Sequence, residues 1–310
     1  MKIPFWVACL WVFIMVLSKP LAGQPAYPKV SKGSIVRFAD FQSKFVLARN
    51  IDVWLPDGYS SQKKYAVLYM HDGQMLFDSS LNFTKSEWGV DETMGRLMEE
   101  GKIPDCIVVG IWNTGNHRYG DYFPEKPFQL LTDAGKNRVL ELGRKEVYRK
   151  FISDKPNSDN YLRFLTKELK PFIDQNFSTF RDKKHTFIAG SSMGGLISMY
   201  AVCEYPGIFS GAACLSTHWA GIFTNKDNPC PAAFESYLSK HLPRRNRFYV
   251  DHGTVGLDSL YAPHQKRMDA VAQKKGATHW TSKVFEGETH NEHAWKKRFH
   301  LAVLFLLEKS

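Results

Sequence analysis

The 310-residue sequence predicts an α/β fold, with a mainly parallel central sheet and helices on both faces. Three observations point there. Segments of strand character and segments of helical spacing alternate along most of the chain. Several strand segments are continuous apolar runs, as expected of strands covered on both faces. One of them, in "FIAGSSMGGLISMY" (187–200), passes into a helical pattern through a turn built of small residues.

In chain order, strand character appears at 34–41, 45–55 and 66–70. The first two are joined by a short link and read as an antiparallel edge. A helical pattern carrying Trp88, Met94, Leu97 and Met98 follows, then the buried-strand run "CIVVGIW" (106–112). "YLRFLTKELKPFIDQNF" (161–177) has apolar residues at helical spacing, with Asp159 nearby as a cap. "HTFIAG" (185–190) is a strand and "GGLISMYAVCEY" (194–205) a helix. Strands at 211–216 and 247–253 are followed by helices near 232–240 and 261–275. A strand at 281–285 precedes a last helix at 292–308. Residues 114–160 interrupt this rhythm. An excursion of that length between sheet strands is either a binding loop or lid, or a surface insertion.

The N-terminus reads differently. Residues 1–23, "MKIPFWVACLWVFIMVLSKPLAG", have an early lysine, an apolar stretch from Ile3 to Leu17 and small residues at the end. That is the pattern of a signal peptide cut after Gly23, and it implies a secreted or periplasmic protein. The apolar stretch falls short of the roughly 20 residues that span a bilayer, so no stable membrane insertion is expected after cleavage. Residues 24–33 read as an exposed leader, and 34–310 as one domain. Hydrophobic content of 44% and charged content of 23% exclude a disordered or fibrous chain. Loss of Lys2 and Lys19 with the signal lowers the formal charge from +10 to +8. The remaining cations are dispersed and no nucleic-acid motif accompanies them, so a solvated basic surface is expected and a nucleic-acid partner is not. Four cysteines remain after Cys9 is removed. Cys106 and Cys214 lie in apolar runs and read as buried thiols, while Cys203 with Cys230 stays open as a pair.

"GSSMG" (190–194) is G-x-S-x-G with Ser192 at its centre, between a strand and a helix. In that setting it is a nucleophile elbow: the turn brings the flanking glycines together and holds the serine at the positive end of a helix. Ser191 is the off-centre competitor. A serine nucleophile needs a base, and the base needs an orienting acid, in the order Ser, Asp or Glu, His. "YVDHGTVGLDS" (249–259) offers Asp251 and Asp258; Asp258, in the loop beyond the strand, is the better placed. "FEGETHNEHAW" (285–295) offers His290 and His293; His290 falls between the last strand and the last helix, and His293 on that helix's first turn. Two amides must receive the negative charge that develops on the substrate oxygen. Met193, after the nucleophile, supplies one. Gly73 and Gln74, in the loop "YMHDGQMLFD" (69–78), are placed to supply the other, with His71 and Asp72 shaping that loop.

These motifs, with "GIWNTGNHRYGDYFP", "ELKPFID" and "LSTHW", resemble the putative-esterase branch of the α/β-hydrolases from about residue 50 onward. That branch includes esterase D, the feruloyl esterases, the enterobactin and ferric-siderophore esterases and the mycolyltransferases. The resemblance implies an α/β-hydrolase fold, a Ser192–Asp258–His290 triad, and Arg118, His218 and Trp219 lining a substrate cleft. It implies hydrolysis of acetyl or aromatic esters on carbohydrates, or of a siderophore ester. Acyl transfer by the same triad and non-catalytic binding on a hydrolase fold are the alternatives. The expected partner is a small-molecule or glycan-linked ester. The chemistry requires neither a metal nor an organic cofactor, and a metal on His290 and His293 lacks a third ligand of clear spacing.

Overall fold

The computed structural model describes residues 26–82, 84–145 and 155–307. The expected signal peptide lies outside them. Eight strands form one sheet in the order β1-β2-β4-β3-β5-β6-β7-β8. They are β1 (Ser34–Phe41), β2 (Arg49–Leu55), β3 (Ala66–His71), β4 (Cys106–Ile111), β5 (Thr186–Ser191), β6 (Gly211–Leu215), β7 (Arg247–Gly253) and β8 (Trp280–Phe285). β1 pairs with β2 and β2 with β4 antiparallel; every later pairing is parallel. The antiparallel edge is therefore where the sequence places it. β2 is shorter than expected, starting at Arg49 rather than 45; just before that stretch Glu168 accepts from Ser43 Oγ at 2.6 Å and from the Lys44 amide at 3.1 Å.

The parallel strands β3 to β6 are buried throughout, so their alternating side chains feed two cores. On one face Val67, Val109, Ile188 and Cys214 pack with α5 (Ser158–Phe164), α7 (Met193–Glu204), α8 (Cys230–His241) and α9 (Ala262–Lys275). On the other face Leu68, Val108, Ala189 and Ala213 meet α1 (Val90–Glu99) and α10 (Glu292–Leu307). Each large side chain removed from water this way stabilises the fold by roughly 1.5–3 kcal/mol before entropy is counted. α1 and α10 are joined by Trp88, whose ring lies 5.4 Å from Trp295 and 5.6 Å from Phe299.

The described part of the excursion includes three helices, α2 (Arg118–Tyr122), α3 (Glu125–Gln129) and α4 (Asp133–Lys145). Tyr119, Tyr122 and Phe123 are buried within the first core, so this part of it is no mere surface insertion. The single helix expected over 161–177 is α5 continued into α6 (Lys170–Asn176) through a wide π turn at Leu165–Leu169. Pro171 explains the interruption, since it has no N–H to return to the preceding turn.

The leader is fastened rather than loose. Arg37 Nη1 donates to the Ala26 carbonyl, Ser31 N donates to Asp91, and Trp54 Nε1 donates to the Lys32 carbonyl. Cys106, Cys203, Cys214 and Cys230 are all buried and free, so the Cys203–Cys230 pair left open by the sequence is not formed. Cys230 instead packs against Gly221 at the head of α8. Among the described residues no helix is long and apolar enough to cross a membrane.

Candidate active site

The site lies at the C-terminal ends of the parallel strands. From Thr186 to Cys203 every residue is buried except Ser192, which separates it from its buried neighbour Ser191. Ser192 has φ 57° and ψ −122°, a conformation that side chains rarely adopt and that costs about 1–3 kcal/mol. Its amide donates to the Leu215 carbonyl at 2.9 Å, which fixes the turn to β6. The flanking glycines are there for space. A Cβ on Gly190 would lie 2.7 Å from the Gly194 carbonyl carbon, and one on Gly194 would lie 3.3 Å from His71 Cβ. Met193 opens α7, so its N–H has no partner in the preceding turn of helix and faces outward with the positive end of the helix dipole.

The same packing brings the 69–78 loop against the elbow. Gly73 and Gln74 begin a short 3-10 turn, Gly73–Met75, entered through Asp72 at φ 58°. A Cβ on Gly73 would meet the Gly110 backbone at 2.7 Å, so β4 supports this turn from behind. Asp72 accepts two bonds from Arg118, Nε and Nη2, each 2.7 Å, and one from Asn113 Nδ2, also 2.7 Å. Gln74 Oε1 accepts from the Asn113 amide. Burial alone would raise the Asp72 carboxyl, but the adjoining Arg118 guanidinium and the Asn113 amide hold it below the ordinary carboxylate range. His71 Nδ1 lies 2.9 Å from the Tyr161 hydroxyl, and burial lowers its pKa to about 3.

His290 stands in the loop between β8 and α10, with Nδ1 2.5 Å from Asp258 Oδ1. Asp258 is fully buried in the 3-10 turn Gly256–Leu260 that follows β7. Burial pushes its carboxyl up, yet His290, the Ser216 hydroxyl and the Gly253 amide outweigh it, and the group sits below the usual range. Asp251 faces elsewhere: it is paired with Arg298 and accepts from the Ser216 amide. His293 is exposed on α10.

Two expected cleft residues are not at the surface. His218 and Trp219 are each 1% exposed. Trp219 Nε1 donates to Gln265 inside the core. His218 reaches the site indirectly: its Nδ1 is 2.7 Å from the Tyr261 hydroxyl, and its amide donates to the Ser192 carbonyl. Burial first, then the nearby His290 and Arg118 charges, lower its pKa to about 3. Arg118 is partly exposed, but its fork is occupied by Asp72 and its guanidinium lies 5.1 Å from the Tyr122 ring. Tyr261 is a residue that motif reasoning misses. Its hydroxyl also interacts with Ser192 and its ring centroid lies 5.8 Å from that of His290. Its only sequence signal is a position three residues beyond Asp258.

Potential metal ligands gather at the start of α1 instead. Among the described residues Glu87, Asp91 and Glu92 bring carboxylate oxygens within 4.8 Å of one another, and Lys296 pairs with Glu87 there.

The sequence profile of the family described as "Putative esterase" matches residues 46–306. An endo-1,4-beta-xylanase/feruloyl esterase of Xylanibacter ruminicola is 25% identical over 209 residues, which are 62% of this chain and 23% of that protein. A ferri-bacillibactin esterase of Bacillus subtilis is 24% identical over 164 residues, 50% of this chain and 49% of the relative. The chain thus spans about half or less of the length of these curated relatives. A solved ferulic acid esterase superposes with a TM-score of 0.62 at 18% identity, covering 89% of this chain and 98% of its own, and has the same α/β-hydrolase fold.

Proposed function

The chain belongs to the "Putative esterase" family, and from that premise we propose that it is a serine carboxylic ester hydrolase working through Ser192, His290 and Asp258. The observation that supports the proposal is the link Tyr261 makes between the strained Ser192 at the head of α7 and the hydrogen-bonded Asp258–His290 pair: it interacts with Ser192, and its ring stands 5.8 Å from that of His290.

In this reading His290 Nε2 takes the proton from Ser192 as its oxygen attacks the ester carbonyl. Asp258 holds the imidazole with Nδ1 protonated and stabilises the positive charge it acquires. The Met193 amide and an amide of Gly73 or Gln74 receive the negative charge on the carbonyl oxygen. The alcohol leaves with the proton from His290. Water, activated by the same ring, then frees the acid and restores Ser192. The substrate class is an acetyl or aromatic ester of a carbohydrate, or a siderophore ester, as the names of the feruloyl and ferri-bacillibactin relatives suggest. The composition of residues 1–23 supports action outside the cytoplasm, after removal of a signal peptide.

Two measurements test this. The protein lacking residues 1–23 should hydrolyse a short-chain nitrophenyl ester, and Ser192→Ala should lower kcat by at least about a thousandfold. Equal rates in both proteins would end the serine mechanism. A panel of acetylated sugars, feruloylated oligosaccharides and catecholate lactones should then reveal one preferred ester.

A further inference from the structure

Behind Asp258 lies a buried polar cluster that the triad chemistry leaves unused. Ser216, at the end of β6, is fully buried and has φ 42°, in the left-handed region. Its Oγ lies 2.6 Å from Asp258 Oδ2, 2.9 Å from Trp295 Nε1 and 2.8 Å from Arg298 Nη2. Indole N–H and guanidinium N–H can only donate. Together they occupy both lone pairs of the hydroxyl, and its single proton is left one acceptor, Asp258 Oδ2. That oxygen also accepts from the Gly253 amide at 2.7 Å. An oxygen receiving two protons from donors carries none itself, so Oδ2 is bare; Oδ1 faces His290 Nδ1, and against burial the bonds from His290, Ser216 and Gly253 together hold the carboxyl below its usual range, as a carboxylate. Arg298 is held in turn by Asp251, with Nε 3.2 Å from Oδ2 and Nη2 3.1 Å from Oδ1, and Asp251 Oδ1 accepts from the Ser216 amide at 3.0 Å. Arg298 is therefore oriented from behind by Asp251.

We propose that Ser216 is the positioning residue of this site: its hydroxyl, oriented by Trp295 and Arg298, holds Asp258 ionised and edge-on to His290. This fixes the Nδ1–H form of His290 and leaves Nε2 free to accept the Ser192 proton. The inference rests on the esterase reading and adds a residue that never touches substrate. β6 then serves the site twice, since the Leu215 carbonyl holds the Ser192 amide while the next residue's side chain holds the acid.

The test compares the wild type with Ser192→Ala, Ser216→Ala, Ser216→Cys and Trp295→Phe on the nitrophenyl ester. Ser216→Ala removes one hydrogen bond to a charged acceptor, and kcat should fall about 10- to 100-fold with KM nearly unchanged. The carboxylate that loses this donor concentrates its charge on the His290 bond, so the acid limb of kcat/KM should move to higher pH. The most downfield proton resonance of the wild type, assigned to His290 Nδ1–H, should shift in the same variant. Ser216→Cys, a weaker donor, should fall between. Trp295→Phe keeps a ring in place but frees a lone pair of the hydroxyl, and should reproduce the limb shift at smaller amplitude. If Ser216→Ala fails to fold, Ser216→Cys decides, since Trp295 also packs directly on His290, with ring centroids 5.1 Å apart. A merely structural serine would lower Tm and leave the acid limb and the resonance in place; that result, with Ser192→Ala inactive, overturns the proposal alone. Wild-type activity in Ser192→Ala would instead overturn the esterase reading beneath it.

Discussion

At Gly190 a single methyl group has nowhere to go. Its Cβ would sit 2.7 Å from the Gly194 backbone, which no side-chain rotation can relieve. Gly190→Ala should therefore cost about 2–4 kcal/mol in urea unfolding and remove most ester hydrolysis, as the elbow opens and Ser192 leaves its strained position. Gly207→Ala is the control, since nothing lies within 4 Å of its added Cβ, and it should change the midpoint by less than about 0.5 kcal/mol. A Gly190→Ala protein with wild-type stability would mean that the turn is looser than these distances allow. Ser192, Gly190 and Gly194 could be read from the sequence because one local turn dictates all three at fixed spacing. Ser216 and Tyr261 could not. Ser216 acts through a hydroxyl that meets Asp258, Trp295 and Arg298, and Tyr261 through one that meets His218 and Ser192, and no spacing along the chain records either set.

Among the elements, the antiparallel edge depends on a buried ion pair. Arg37 on β1 meets Asp52 on β2 through two bonds of 2.7 Å, and Trp112 Nε1 adds a third donor to Asp52 at 2.8 Å. Removing only the acid leaves a cation between strands without its counter-charge. Asp52→Ala should lower stability by about 3–5 kcal/mol and speed amide exchange in β1 before it does so in β5. Uniform exchange across both strands would refute this division. The strands were legible because runs such as "CIVVGI" have no polar face to give to water. The breaks were less so. The π turn before Pro171 follows from a missing donor, and the bonds that Ser43 and Lys44 make to Glu168 involve a distant carboxylate; neither alters hydrophobic spacing.

For the molecule as a whole, two buried imidazoles set a pH dependence. Burial lowers the pKa of both His71 and His218 to about 3 in the fold, against 6.5 ordinarily. The folded value lies below the unfolded one, so the neutral rings favour the fold fully above pH 6.5. That advantage is lost as pH falls from 6.5 toward 3, where the unfolded chain takes up protons first. At pH 4.5 each ring should have cost about 2–3 kcal/mol, at about 1.36 kcal/mol per pH unit. Urea midpoints from pH 7.5 to 4.5 should decline, and more gently in His218→Gln; identical declines would exclude His218 as a contributor. The layout of the sheet has one more consequence. The elbow opens α7 on one face, while His290 precedes α10 on the other, far later in the chain. On the proposed mechanism, the nucleophile emerges during synthesis well before its base, and α10 must still dock against β6 and β7 to complete the pair. A growing polypeptide would then carry its serine inert, and the proposed hydrolysis would begin only after α10 has left the ribosome and closed its side of the sheet.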